Sequence, residues 1–239
     1  MGKPATHNIQ TTTPMKNYAI IVAGGTGTRM QSAVPKQFLL LKGKPVLMHT
    51  AEAFYISGAR PEIILILPSG FHSYWNQLCQ EYDFQIPHLL INGGETRFHS
   101  VKNGLDTIID DTASLIAVHD AVRPLTGKQI IDESYTYAAT HGNAITAVKS
   151  RDSVRQFSNG VSRHLLRDEI YLIQTPQTFQ SAQIKKAYLQ PYNPNFTDDA
   201  SVVEQAGFQI HLMEGSYQNI KITFPEDIAI AELLLDLRK

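Results

Sequence analysis

Short apolar β-prone runs recur along this chain with helical stretches between them, and that alternation limits its fold more than any other feature. Tyr18–Ala23 (YAIIVA) reads as a buried strand running into glycines, and Glu62–Leu67 (EIILIL) as a second, ended by Pro68-Ser69-Gly70. His88–Ile91, Leu115–His119 and Ala144–Val148 continue the series. Between them, helices are expected over Val46–Ser57, stopped by Gly58, over Phe71–Tyr82, over Ser100–Ile109, and over Lys128–His141, capped by Gly142. A β-α-β rhythm of this kind predicts an α/β fold with a mostly parallel sheet and helices on both faces. Ligands on such sheets bind at the carboxyl ends of the strands.

Residues 149–175 break the rhythm. Val154–Phe157 and Val161–Leu165 flank Ser158-Asn159-Gly160, and Asn-Gly between two β-prone runs signals a hairpin. An isolated two-stranded hairpin is marginal in water. A protruding arm at about 149–172 that packs on a second subunit would solve this, which points to a homodimer; the alternative is a hairpin folded back on its own domain. A helix over Ala182–Leu189 follows, then a helix opened by Thr197-Asp198-Asp199, with Thr197 as a candidate cap. Strands are expected over Phe208–Met213 and Asn219–Thr223, and Pro225 starts a final helix to Lys239. Without internal repeats or a low-complexity linker, residues 15–239 read as one domain. The polar stretch 1–14 lacks an apolar signal core and reads as a disordered leader, with Met15 an alternative start.

The bulk composition excludes several classes. Of 239 residues, 43% are hydrophobic and 18% charged, too apolar for a disordered chain. A net charge of −1 lacks the basic excess of a nucleic-acid binder. No apolar run reaches the roughly 18 residues of a membrane span. The single cysteine, Cys79, rules out a disulfide scaffold and favours a reducing, cytoplasmic setting.

Four groups of residues carry chemistry. Ala23-Gly24-Gly25-Thr26-Gly27-Thr28-Arg29-Met30 directly follows the first strand. Glycines there admit a phosphate to backbone N–H groups, though a tight turn would also use them. The P-loop is excluded because no Lys-Ser/Thr follows. The dinucleotide fingerprint is excluded because Met30 replaces its third glycine and Leu67-Pro68-Ser69 offers no acid for a ribose. Arg29 and Lys36 add two cations just beyond the loop, which suits a triphosphate. The second group is His119-Asp120-Ala121-Val122-Arg123-Pro124. Asp120 at a strand end suits Mg²⁺, which binds through one or two carboxylates plus substrate phosphates; a structural turn is the plainer reading. Gly93-Gly94-Glu95-Thr96-Arg97-Phe98-His99-Ser100 forms the third, a base or ribose pocket or simply a capped helix start. The fourth is dispersed: Arg151-Asp152, Thr197 to Ser201, and Asn219 to Thr223, where Lys221 stands oddly among β-branched residues.

In this order, AGGTGTRM, PKQ, GGETR–S, HDAVRP, TPQTF, TDDAS and NIKIT-PED resemble the 2-C-methyl-D-erythritol 4-phosphate cytidylyltransferases of the non-mevalonate isoprenoid pathway. The resemblance runs from about Tyr18 to the C-terminus. It implies a Rossmann-like nucleotidyltransferase sheet with a dimerising arm. It implies that Ala23, Gly24, Gly25, Gly27, Gly94, Arg97, Ser100 and Ala121 bind CTP, and that Asp120 holds Mg²⁺. Arg29 and Lys36 would stabilise charge on the triphosphate. Arg123, Arg151, Thr197 and Lys221 would grip the acceptor, with Arg151 reaching in from the partner's arm. Many members carry Ala-Ala-Gly where this chain has Ala23-Gly24-Gly25, a form common in ribitol-5-phosphate cytidylyltransferases, so ribitol 5-phosphate is an alternative acceptor. A non-catalytic nucleotide-binding module is the more distant alternative, and would leave Lys36 and Lys221 idle.

Overall fold

The computed structural model describes residues 15–23, 34–109 and 113–238. The expected leader, 1–14, lies outside them. Seven strands form the main sheet: β1 (Lys16–Val22), β4 (Glu62–Leu67), β5 (Leu89–Asn92), β6 (Ser114–Asp120), β7 (Asn143–Lys149), β10 (Tyr171–Gln180) and β11 (Leu212–Glu214). Two short strands, β2 (Leu40–Leu41) and β3 (Lys44–Pro45), pair separately, as do β8 (Val154–Ser158) and β9 (Val161–Leu165). The helices are α1 (Val46–Tyr55), α2 (His72–Glu81), α3 (Arg97–Leu105), α4 (Lys128–His141), α5 (Ser181–Ala187), α6 (Asp199–Gln205) and α7 (Glu226–Asp236).

The strand order is β11-β7-β10-β6-β1-β4-β5. All neighbours run parallel except β10, which is antiparallel to both β6 and β7. The sheet is therefore mostly parallel, as the rhythm of the chain predicts. Period-2 alternation splits the strand residues between two layers. Ala19, Ile21, Leu65 and Ala117 face α1, α2 and α4, while Ile20, Ile66, Ile116 and Val118 face α3, α5 and α6. A third, smaller core joins Leu41, Val46, Val122, Leu125, Ile222 and Ala231, and so seats α7 beside the end of β6.

Several expectations change. The ten-residue β10 was not foreseen. Its central part is buried, yet it carries Gln174, Thr175, Gln177 and Thr178, so it lacks the apolar run that marks the other inner strands. Asn219–Thr223 forms no ladder; it is irregular backbone held by bonds such as Ile222 N–H to Val122 O at 2.9 Å. The strand expected over Phe208–Met213 shrinks to β11. Helix α3 begins at Arg97 because Thr96 caps it, accepting from the His99 N–H. Asp198, not Thr197, caps α6, in a reciprocal box with Ser201. The Asn-Gly hairpin is as expected: Asn159 and Gly160 both have positive φ, at 52° and 78°, as a type I′ turn requires.

Candidate active site

Four parallel strands end on one edge of the sheet, and their register decides what they present. Val22 pairs with Ile66 on one side and Asp120 on the other, so Asp120 stands where the chain leaves β1. That departure is pinned: Ala23 N–H donates to Ile66 O at 2.9 Å, and buried Gln37 donates to Ala23 O at 3.1 Å. Gly24, Gly25, Gly27 and Arg29 lie outside the described residues. Lys36, at the far end of that segment, extends Nζ to 3.3 Å from Ile222 O and bridges to the 219–223 stretch.

After β5 the chain turns into α3 through Gly94. A Cβ there would sit 2.4 Å from His99 Cβ, so the position accepts only glycine without a shift of backbone. The Gly94 N–H donates to Ser100 Oγ at 3.0 Å. One cavity lies against Ala23, Lys36, Gly94, Arg97, Ser100 and Asp120. A second lies against Arg123, Gln174, Thr197 and Asp198. Arg97, Asp120 and Lys221 line both, and so form the wall between them.

The wall is highly charged. Asp120, with a side chain only 13% exposed, receives Lys221 Nζ at 2.8 Å on Oδ2. Arg97 Nε stands 3.7 Å from Oδ1, and Arg123 Nε 3.7 Å from Oδ2. Burial alone would raise the Asp120 pKa, but the charges of Arg97, Lys221 and Arg123 overcome it and hold the carboxyl well below its usual range. Asp120 is ionised at every working pH. Its neighbour His119 is fully buried, and burial lowers its pKa to about 3, so the imidazole is neutral. His119 packs edge-on against Phe54 and acts as core, 3.3 Å from the Arg123 carbonyl.

Lys221 is aimed by its buried neighbour Asn219. The Asn219 amide donates to Thr175 O at 2.9 Å, its Oδ1 accepts from Thr126 at 2.8 Å, and its carbonyl accepts from Arg123 Nη1 at 2.7 Å. Arg97 is clamped from the other side by Asp199, with bonds of 2.9 and 2.5 Å. Gln177 ties the loop bearing Thr197 to β10, through Asp198 Oδ2 and the Ala200 N–H. Sequence reasoning recognised the motifs holding Gln37, Gln177, Asp199 and Asn219 but gave these four no role. Their type was the available signal, since a polar residue inside an apolar or capping stretch must find a partner when buried.

Other expected residues fall elsewhere. Ala121 is fully buried, with its N–H bonded to Val22 O and its carbonyl accepting from Thr50, and it lines neither cavity among the described residues. Arg151 also lines neither in this chain; its guanidinium lies 3.4 Å over the Tyr217 ring. Among the described residues no group of three or more His, Cys, Asp or Glu gathers as a metal site, and no helix is long and apolar enough to cross a membrane.

The profile of the family described as IspD, 2-C-methyl-D-erythritol 4-phosphate cytidylyltransferase, matches residues 17–237. This chain belongs to the 2-C-methyl-D-erythritol 4-phosphate cytidylyltransferase family. It is 48% identical over 221 residues to the Bacteroides thetaiotaomicron protein of that name, covering 92% of this chain and 100% of the relative. The protein of that name from Azobacteroides pseudotrichonymphae is 49% identical over 222 residues, covering 92% and 99%. A solved 4-diphosphocytidyl-2C-methyl-D-erythritol synthase superposes with a TM-score of 0.80 at 28% identity, covering 94% of this chain and 100% of the other. The Francisella tularensis cytidylyltransferase gives 0.76 at 32% identity, covering 92% and 99%. The matched span holds every motif on which the resemblance rests, and the chain is an enzyme of the cytidylyltransferase class. The relatives' names side with methylerythritol phosphate over ribitol phosphate as acceptor.

Proposed function

We propose that this enzyme transfers CMP from CTP to 2-C-methyl-D-erythritol 4-phosphate, giving CDP-methylerythritol and pyrophosphate. The observation that carries the reading is the shared wall: Arg97, Asp120 and Lys221 border both cavities, so groups bound on either side meet there. The cavity beside Ala23, Gly94 and Ser100 takes the nucleotide. The cavity beside Thr197 and Arg123 takes the acceptor phosphate. An acceptor phosphate oxygen attacks the α-phosphorus of CTP, the new P–O bond forms in line with the breaking one, and pyrophosphate leaves with the electron pair. A phosphate monoester, with a second pKa of about 6, is already an anion at neutral pH, so no general base is needed. Lys221 and Lys36 neutralise charge as the two anions approach, a role the resemblance also gives to Arg29.

A single ionised carboxylate fits the Mg²⁺ mode in which substrate phosphates and waters complete the shell. Asp120 would hold that ion, which supplies neutralisation of the triphosphate charge. The arm completes the proposal. Phe157 is 73% and Val161 68% exposed, on opposite faces of the β8–β9 hairpin, apolar side chains that a second copy wrapped around the arm would cover in a homodimer. Arg151, at the base of the arm, then reaches the second subunit's acceptor cavity. CTP and the polyol phosphate are the partners, with no nucleic acid or membrane, in a cytoplasmic setting.

Label position tests the transfer. With α-labelled CTP the label should appear in the diphosphate-linked product, and with γ-labelled CTP in pyrophosphate. Label from the γ position on the acceptor would mean phosphoryl transfer and overturn the reading.

A further inference from the structure

The ion pair between Arg97 and Asp199 has a consequence for Asp120. Asp199 is fully buried, on the first turn of α6. Its Oδ1 accepts from Tyr188 Oη at 2.6 Å, and Tyr188 in turn stacks on Phe98 at 4.6 Å. The carboxylate is therefore fixed from behind. In front it occupies both terminal nitrogens of Arg97. A bidentate grip of this kind sets the plane of the guanidinium as well as its position. Only Nε is left to face Asp120, at 3.7 Å from Oδ1, beyond hydrogen-bonding distance. Lys221 already occupies Oδ2 at 2.8 Å. Oδ1 is thus the oxygen available to a ligand, and a guanidinium released from Asp199 would turn its fork onto it.

We propose that Asp199 is a positioning residue that holds Arg97 off Asp120 and so keeps Asp120 Oδ1 open to a divalent cation carried with the nucleotide. This rests on the reading of Asp120 as the cation-binding carboxylate. Asp199 touches neither substrate nor metal; it acts through Arg97. Removing its charge would hurt twice, by freeing Arg97 to pair with Asp120 and by leaving an extra positive charge beside the cation.

The test titrates the full-length enzyme into Mn²⁺–CTP, without acceptor, the enzyme-bound Mn²⁺ being read by water-proton relaxation enhancement. In Asp199→Asn the Mn²⁺ dissociation constant should rise about tenfold. Tyr188→Phe keeps the ion pair and loosens Asp199 by one hydrogen bond, and should raise it about twofold. In an Arg97→Gln background there is no guanidinium to misplace, so adding Asp199→Asn should raise the constant by no more than about twofold over Arg97→Gln alone. In turnover assays, excess Mg²⁺ should restore part of the activity lost in Asp199→Asn. Unchanged Mn²⁺ affinity in both Asp199→Asn and Tyr188→Phe, or an Asp199→Asn substitution that costs as much without Arg97 as with it, would overturn the proposal. Should Asp199→Asn fail to fold, Tyr188→Phe and the double variant still decide it. A wild-type enzyme that binds no Mn²⁺ with CTP would instead defeat the reading of Asp120 itself.

Discussion

Lys36 and Lys221 approach the same wall from opposite ends of the chain, Lys36 reaching the Ile222 carbonyl and Lys221 the Asp120 carboxylate. In the proposed reaction both act on charge, so their removal should cost rate far more than fold. Lys36→Ala should lower kcat about 100-fold or more, with the melting temperature within about 3 °C of the wild type; near-normal turnover would remove it from the mechanism. Asn219→Ala should do both kinds of harm. It takes the Asn219 donor from the buried Thr175 carbonyl, leaves Thr126 Oγ1 with its longer bond to the Arg123 carbonyl, and frees the stretch that aims Lys221, so it should destabilise by roughly 2–4 kcal/mol in urea titrations and slow turnover as well. His119 sets a pH limit. Its folded pKa of about 3, against 6.5 for a free imidazole, means that below pH 6.5 the unfolded chain takes up a proton that the native chain refuses. This contribution to stability is complete above pH 6.5 and lost as pH falls toward 3, at up to about 1.4 kcal/mol per pH unit. His119→Asn should show a flatter fall in stability than the wild type between neutral pH and about 5. Parallel curves would show that His119 is protonated in the fold.

At the scale of elements, legibility followed how much each piece depends on its own residues. β1, β4 and β6 are continuous apolar runs, buried on both faces, and could be read directly. The turn at Asn159-Gly160 could be read because few residues other than asparagine and glycine adopt two successive positive φ angles. β10 could not. Its buried centre spends polar side chains on bonds such as Thr178 Oγ1 to Ser134 Oγ at 2.9 Å and Gln177 Nε2 to Asp198 Oδ2 at 2.9 Å, and those partners come from elements distant in sequence. The 219–223 stretch misled in the opposite way, since its β-branched residues serve packing under α7 without a ladder. At the site, most residues that line the two cavities sit in stretches legible as motifs. The braces behind them, Asp199 for Arg97 and Asn219 for Lys221, become visible only once the strands are assembled. The arm carries its own prediction. Phe157→Asp with Val161→Asp should convert a dimer to a monomer in sedimentation velocity while leaving far-ultraviolet circular dichroism unchanged. A wild type that sediments as a monomer would instead leave the apolar arm without its proposed role.

For the whole molecule, the fold supplies a rigid edge and the chemistry is confined to it. One face of helices and the other bury separate layers of the same strands, so the register that sets Asp120 beside Val22 is specified across the full sheet. Onto that edge come Gly94 and Ser100 from the start of α3, Thr197 from the start of α6, and Lys221 from the approach to α7. Three segments distant in sequence converge on one carboxylate ringed by cations. Such a site assembles two anions and neutralises them, and a cytidylyltransferase acting on a phosphate needs little more. The most direct measurement is pyrophosphate release from CTP and Mg²⁺ with 2-C-methyl-D-erythritol 4-phosphate and ribitol 5-phosphate supplied in parallel. Rapid release with the first and none above background with the second is the predicted result. Release with ribitol 5-phosphate alone, or with neither, would contradict the account.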